Sequence, residues 1–290
     1  LISTILDLAG SKPKASHPQF RGRSLRPLLE GREFALVANQ TSVVFQPDAP
    51  PVHLADTLLA SGVALVRVFA PEHGFRGQAD AGEKVQDGVD VQTGLPVTSL
   101  YGSRRKPTPE DLEGLEVVVF DIQDVGVRFY TYIATLQLVM EACAAEGIPI
   151  VVLDRPNPHT GWVDGPVMED AHRSFLGMTP IPLVYGMTIG EYARMINGEG
   201  WLENGLRADL TVVELEHFRR GQAYELPIPP SPNLPNAQAV GLYPSLGLFE
   251  GTQVNAGRGT DFQFQQFGAS FLDSTAWSGG QNEPLLPRDP

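Results

Sequence analysis

The chain has 290 residues, a formal net charge of −13, and 42% apolar against 19% charged residues. That length and apolar content support a folded protein with a substantial core and exclude intrinsic disorder. The acidic balance argues against nucleic acid or an anionic membrane surface as a partner, because both attract basic faces.

A few local arginines can still hold an anionic small molecule inside an acidic protein. Cys143 is the single cysteine. It falls in an apolar helical pattern and reads as a core residue, and no intrachain disulfide or cysteine-based metal site can be built. No apolar run reaches the length of a membrane-spanning helix, and no signal peptide is visible.

In chain order, residues 1–32 look unlike the rest of the chain. From Glu33 onward strands and helices alternate. Phe34–Ala38 is a short apolar run that reads as a buried strand and ends at Asn39. Pro51–Ser61 has helical spacing and stops before Gly62. Val63–Ala70 reads as a second buried strand, halted by Pro71, and Glu116–Phe120 as a third, leading into Asp121. Tyr132–Glu146 is a helix closed by Gly147. Ile148–Leu153 is a fourth strand, stopped by Asp154-Arg155-Pro156. This alternation predicts an α/β fold with a mostly parallel sheet over residues 33–164. Near Gly165 the pattern becomes rich in proline and glycine turns. Residues 165–273 read as a smaller α+β portion with a helix at Ile189–Asn197 and a strand at Leu210–Leu215. Residues 274–290 have no periodic pattern.

In open parallel sheets, ligands bind beyond the carboxyl ends of the strands. Three predicted strands end in polar clusters: Pro71-Glu72-His73-Gly74-Phe75-Arg76-Gly77, Asp121-Ile122-Gln123-Asp124-Val125-Gly126, and Asp154-Arg155-Pro156-Asn157-Pro158. If they share one sheet, Glu72, Asp121, Asp124 and Asp154 meet Arg76, Arg128 and Arg155 at one rim. Glycosidic cleavage needs a proton for the leaving oxygen and a carboxylate to activate water or attack the sugar. Crowded carboxylates raise one another's pKa and so supply an acid near neutral pH. The same cluster also suits a divalent metal. Tyr130 and Tyr132 alternate on an extended stretch beside it. No dinucleotide fingerprint, P-loop, H-E-x-x-H or G-x-S-x-G elbow is present.

Taken together, these motifs resemble the exo-β-N-acetylmuramidases. The likeness rests on Asn39-Gln40-Thr41, the Glu72-His73-Gly74 run, Asp80-Ala81-Gly82-Glu83, Ser99-Leu100-Tyr101-Gly102, the Asp121–Gly126 and Arg128–Tyr132 runs, and Asp154–Pro158. It continues through Gly186–Glu191, Pro230-Ser231-Pro232-Asn233, Glu250-Gly251-Thr252 and Gly257-Arg258-Gly259-Thr260. It runs in order from Phe34 to Gly268.

The resemblance implies a Rossmann-like domain, a smaller second domain that is incomplete here, and a cleft between them. It implies an exported, exo-acting hydrolase that releases terminal N-acetylmuramic acid from peptidoglycan-derived β-1,4 chains, with no cofactor or metal. The family's proposed catalytic glutamate corresponds to Glu72. On that reading Glu72 is the general acid, oriented by His73, with Asp124 or Asp121 positioning substrate or water. One of Arg76, Arg128, Arg155 or Arg258 binds the lactyl carboxylate. Asn39, Tyr130, Asp154, Asn157, Asn233 and Glu250 complete the expected substrate contacts. Two rivals are a non-catalytic sugar-binding module and a metal-dependent hydrolase. The opening segment resembles a stretch near the C-terminus of sulfatases, carries none of their catalytic residues, and is assigned no such activity.

Overall fold

The computed structural model describes residues 25–46, 48–77 and 87–272. It opens with a short helix, α1 (Arg26–Leu29). The apolar runs then form strands because consecutive residues are buried on both sides of a sheet. In chain order the strands are β1 (Phe34–Ala38), β2 (Val43–Gln46), β3 (Ala49–His53), β4 (Leu65–Ala70), β5 (Gly88–Val89), β6 (Pro96–Ser99), β7 (Val117–Asp121), β8 (Ile150–Leu153) and β9 (Leu210–Val213). The remaining helices are α2 (Leu54–Ala60), α3 (Pro109–Leu112), α4 (Tyr132–Glu146), α5 (Ile189–Glu199) and α6 (Ala237–Leu246).

Seven strands make one sheet in the order β5-β6-β4-β1-β7-β8-β9. All neighbours are parallel except β5, which runs antiparallel to β6. Numbering β1, β4, β6, β7, β8 and β9 as one to six gives the spatial order 3-2-1-4-5-6. This is the doubly wound Rossmann arrangement, with its point of reversal between β1 and β7. The expected α/β class and parallel sheet are therefore present.

The core has two layers, one on each face of the sheet. Along β1, Ala35 and Val37 join the layer that holds Leu136, Val139 and Met140 of α4 and Tyr192 and Ile196 of α5. Phe34, Leu36 and Ala38 join the opposite layer with Leu29, Leu54 and Leu58. The strict alternation follows from the two-residue period of a strand. Cys143 is a buried free thiol in the first layer. Helix α4 ends where Gly147 takes the left-handed conformation, φ 67°, that a side chain would resist.

Three differences from the sequence reading have physical causes. The helix expected from Pro51 starts only at Leu54, because Ala49–His53 pairs antiparallel with β2. His53 then accepts from the amide of Ala55 at 3.2 Å and caps α2. The strand expected in the second portion forms as β9 but pairs in parallel with β8, so the sheet runs on past residue 164. Helix α6 carries Pro244 in its interior, a residue that argues against helix in any local reading. The segment 274–290 lies outside the described residues, as do residues 1–24 of the opening segment.

Leu136 is fully buried where α4 meets the sheet. Replacing it with Ala should cost about 2–5 kcal/mol in urea unfolding, whereas an exposed α4 position would cost little.

Candidate active site

The reversal between β1 and β7 leaves the tip of β1 without a covering crossover, and the polar residues gather there. Side chains close the strand ends. The amide and hydroxyl of Thr41 donate to Asn39 Oδ1 at 2.9 and 2.6 Å. Ser42 donates to the carbonyl of Asp121, and the amide of Gln123 donates to the Thr41 hydroxyl at 3.0 Å. Gln123 Nε2 reaches the carbonyl of Pro156 at 2.6 Å. The tips of β1, β7 and β8 are thereby laced into one rim.

Glu72 follows the end of β4 on this rim and is half-buried. The hydroxyl of Thr131, the residue before α4, donates to Glu72 Oε2 at 3.0 Å. Tyr101 stands beside it. Burial, and then the neighbouring Glu72, push that phenol up to about 12. His73 is buried and holds a left-handed backbone, φ 70°, followed by Gly74 at φ 78°. A side chain in that region is strained, so the turn must be held from outside. Arg76 holds it. Its guanidinium donates to Asp90 at 2.8 and 2.7 Å and to Asp56 at 3.0 and 3.3 Å. Hydrogen bonding to Asp90 is the chief reason its pKa is raised.

Arg76 is thus an anchor of the Glu72 turn and is not available to a substrate carboxylate. Arg155 is also engaged, because its Nε and Nη2 form a buried fork with Asp121 at 2.7 and 2.8 Å. That pair seals the carboxylate of Asp121, expected in the catalytic set, under the guanidinium. Arg128 donates to the carbonyls of Pro166 and Ile181 at 2.7 and 2.5 Å, and burial lowers its pKa. Asp154 accepts from Thr188, Gly190 and Arg155 at 2.8, 2.8 and 3.0 Å, which fixes the start of α5. Burial still raises it to about 6. Asn157 bridges the amide of His159 and the carbonyl of Met187, both at 2.7 Å. These residues, expected to touch substrate, are all engaged by partners within the protein.

Asp124 is different. It is fully enclosed, and burial raises it to about 7 against the pull of its hydrogen bonds. Oδ2 accepts from the Tyr185 hydroxyl and from the amide of Gly126, the latter at 2.6 Å. Oδ1 is buried without a partner, as are the Tyr130 hydroxyl and Asn39 Nδ2. Tyr130 packs edge-on against Tyr132 at 4.8 Å and Tyr243 at 5.8 Å. Glu250 and Arg258 form an ion pair on the rim beyond Tyr243, and the Arg258 side chain remains 39% exposed. Asn233 is half-buried in the segment that packs over Tyr132.

The sequence reading missed Thr131, Tyr185 and Tyr243 as members of the site. Their only local signals are a hydroxyl before a helix and two aromatic residues in otherwise apolar runs. Among the described residues no three His, Cys, Asp or Glu side chains gather as a metal-binding group. Asp80 and Glu83 of the neighbouring motif lie outside the described residues. A separate groove of about 590 Å³ lies behind Pro229-Pro230, lined by Trp162, Tyr224 and Leu234 among others. It includes neither Glu72 nor Asp124.

Residues 34–238 match the family model described as exo-β-N-acetylmuramidase NamZ, N-terminal, and residues 241–287 match its C-terminal counterpart. The chain belongs to the exo-β-N-acetylmuramidase NamZ family. The C-terminal match carries the family likeness past Gly268. Within this family the chain is similar to the peptidoglycan β-N-acetylmuramidase NamZ of Bacillus subtilis (strain 168), with 44% identity over 265 residues. That match covers 89% of this chain and 62% of the relative. Two crystal structures of DUF1343 family proteins from Bacteroides fragilis NCTC 9343 share the fold. One has a TM-score of 0.74 and 43% identity over 83% of this chain and 63% of that one. The other has a TM-score of 0.76 and 37% identity over 86% of this chain and 63% of its own. The chain thus spans less than two thirds of the length of each of these NamZ-family relatives.

This geometry has two measurable consequences. Truncating Asp121 to Ala leaves a buried guanidinium without its partner, which should cost about 3–5 kcal/mol in denaturant unfolding. Asp124 is raised in the folded state, so its contribution is fully present at low pH and is lost as pH climbs through about 7. Asp124→Asn should flatten that loss, and melts of both proteins at pH 5 and pH 8 should show a wild-type deficit that grows at the higher pH.

Proposed function

We propose that this chain carries the catalytic site of an exo-acting glycoside hydrolase that removes terminal N-acetylmuramic acid from the non-reducing end of peptidoglycan-derived β-1,4 chains. The observation that carries the reading is Glu72. It is a carboxylate at the open end of a parallel sheet, held by Thr131, and set on a turn anchored by Arg76. The Bacillus subtilis relative, 44% identical, supports the choice of reaction and substrate.

Glu72 would deliver a proton to the glycosidic oxygen as the bond to the anomeric carbon breaks, with GlcNAc departing; a water molecule supplies the hydroxyl of the freed N-acetylmuramic acid, and its proton restores the acid. Thr131 fixes one carboxylate oxygen and so orients the group towards the leaving atom. Arg258 is the best seat for the lactyl carboxylate. Of the four candidate arginines it alone combines a single ion-pair contact, to Glu250, with an accessible side chain. A guanidinium with nitrogens to spare can take a carboxylate on its other edge.

Glu72→Gln keeps the shape and removes the transferable proton. Turnover of a chromogenic β-N-acetylmuramide should fall by about 10²–10⁴-fold, with the melting temperature unchanged. Retained turnover would refute the assignment. Release of internal fragments in place of monosaccharide from MurNAc–GlcNAc oligomers would overturn the exo-acting mode. Loss of activity in a chelator would favour the metal-dependent reading.

A further inference from the structure

Four buried polar atoms make no short hydrogen bond, Gln40 Oε1 and three nearer Glu72: Asn39 Nδ2, with Tyr132 beside it, the Tyr130 hydroxyl, with Ser231 and Tyr132 beside it, and Asp124 Oδ1. Asn39, Tyr130 and Asp124 are 0%, 7% and 3% exposed. A buried group left unsatisfied costs about 1–3 kcal/mol, and such groups are rare enough in folded proteins that each calls for a reason. Here three are gathered around one residue. Tyr132 stands beside Asn39 and beside Tyr130, and it feels the charges of both Glu72 and Asp124. Tyr243 feels the same two carboxylates. Thr131, which grips Glu72, lies between Tyr130 and Tyr132 in the chain.

The chemistry of the three atoms is that of a complement to an amide. Asn39 Nδ2 can only donate, a carboxylate oxygen accepts, and a phenol does either. A secondary amide presents one acceptor, its carbonyl, and one donor, its N–H. Neighbouring ring faces supply the apolar contact that an acetyl methyl needs, with Tyr132 and Tyr243 at 4.8 and 5.8 Å from Tyr130. Asp124 Oδ2 is already held by Tyr185 and the amide of Gly126, so Oδ1 is the oxygen left for a ligand.

We propose that Asn39, Tyr130 and Asp124 form the seat for the 2-acetamido group of the sugar whose bond Glu72 cleaves. Asn39 and Tyr130 donate to the acetamido carbonyl, and Asp124 accepts from its N–H. The proposal rests on the glycosidase reading and adds to it the group that sets selectivity at the 2-position. The seat does not distinguish muramic acid from glucosamine, because both carry this amide, and it leaves the lactyl group to be read elsewhere on the rim.

The test uses the full chain with Glu72→Gln to prevent turnover. Calorimetry compares the methyl β-glycoside of N-acetylmuramic acid with the 3-O-lactyl glucoside, which differs only in a hydroxyl at the 2-position. The acetamido sugar should bind at least tenfold more tightly. Adding Tyr130→Phe should shrink that ratio several-fold while leaving the melting temperature nearly unchanged, since the lost hydroxyl makes no short hydrogen bond in the free protein. Asn39→Asp keeps the Oδ1 that closes the strand end but removes the donor, and it should shrink the ratio in the same way. Equal affinity for the two sugars overturns the seat alone. So does a ratio untouched by both variants. Failure to bind either sugar overturns the seat and the glycosidase reading together.

Discussion

The arrangement of this site follows from one topological constraint: β1 is hydrogen-bonded in parallel to both β4 and β7. The chain leaves β1 towards one edge of the sheet and later returns to its other side. No crossover can then cover the tip of β1. An uncovered strand end exposes backbone groups that still need partners, and the sequence meets that need with Asn39, Thr41 and Ser42. The side chains that close the sheet are thus also those that shape the cleft, and Glu72 is placed by the neighbouring strand at the same height.

The second organising fact is that charges brought to such a rim are partly buried, and a buried charge is tolerated only when paired. Asp121 with Arg155, and Arg76 with Asp56 and Asp90, satisfy one another and become framework. Of the candidate acids and bases, that pairing engages Asp121. It also makes the frame stiff, because a bidentate fork fixes orientation as well as distance. The residues with incomplete partners stand out against this background.

How much was legible in the sequence divides along the same line. The strands Phe34–Ala38 and Leu65–Ala70 and the helix Tyr132–Glu146 could be read because burial on both faces writes continuous apolar runs and a helix writes its own period. The convergence of Glu72, Asp121 and Asp154 on one rim followed from the strand-end rule. The roles within that rim did not. Whether Arg155 meets substrate or Asp121 depends on a contact across 34 residues, and nothing in either local motif distinguishes the two. Asp90, the partner of Arg76, sits in a turn with no signal of its own. The β2–β3 ribbon was hidden because Pro50 and Pro51 argue against strand, yet a two-stranded ribbon has open edges where a missing amide hydrogen is harmless. Tyr185 lies in a turn region of mostly proline, glycine and apolar residues, with no charged residue beside it.

The aromatic wall gives the site its electrostatic character. Burial pushes the phenols of Tyr130, Tyr132, Tyr185 and Tyr243 upward, so all four stay protonated across the working range of any enzyme. Their hydroxyls are neutral and their rings are buried, packed edge-on against one another. Burial among these rings lowers the local dielectric, so each remaining charge acts over a longer range. Asp124, poised at about 7 inside this wall, is held there by the same desolvation. A wall of tyrosines therefore does two things with one physical cause. It fills the core beneath the open end of the sheet, and it shifts the ionisable groups packed beside it away from their ordinary pKa values.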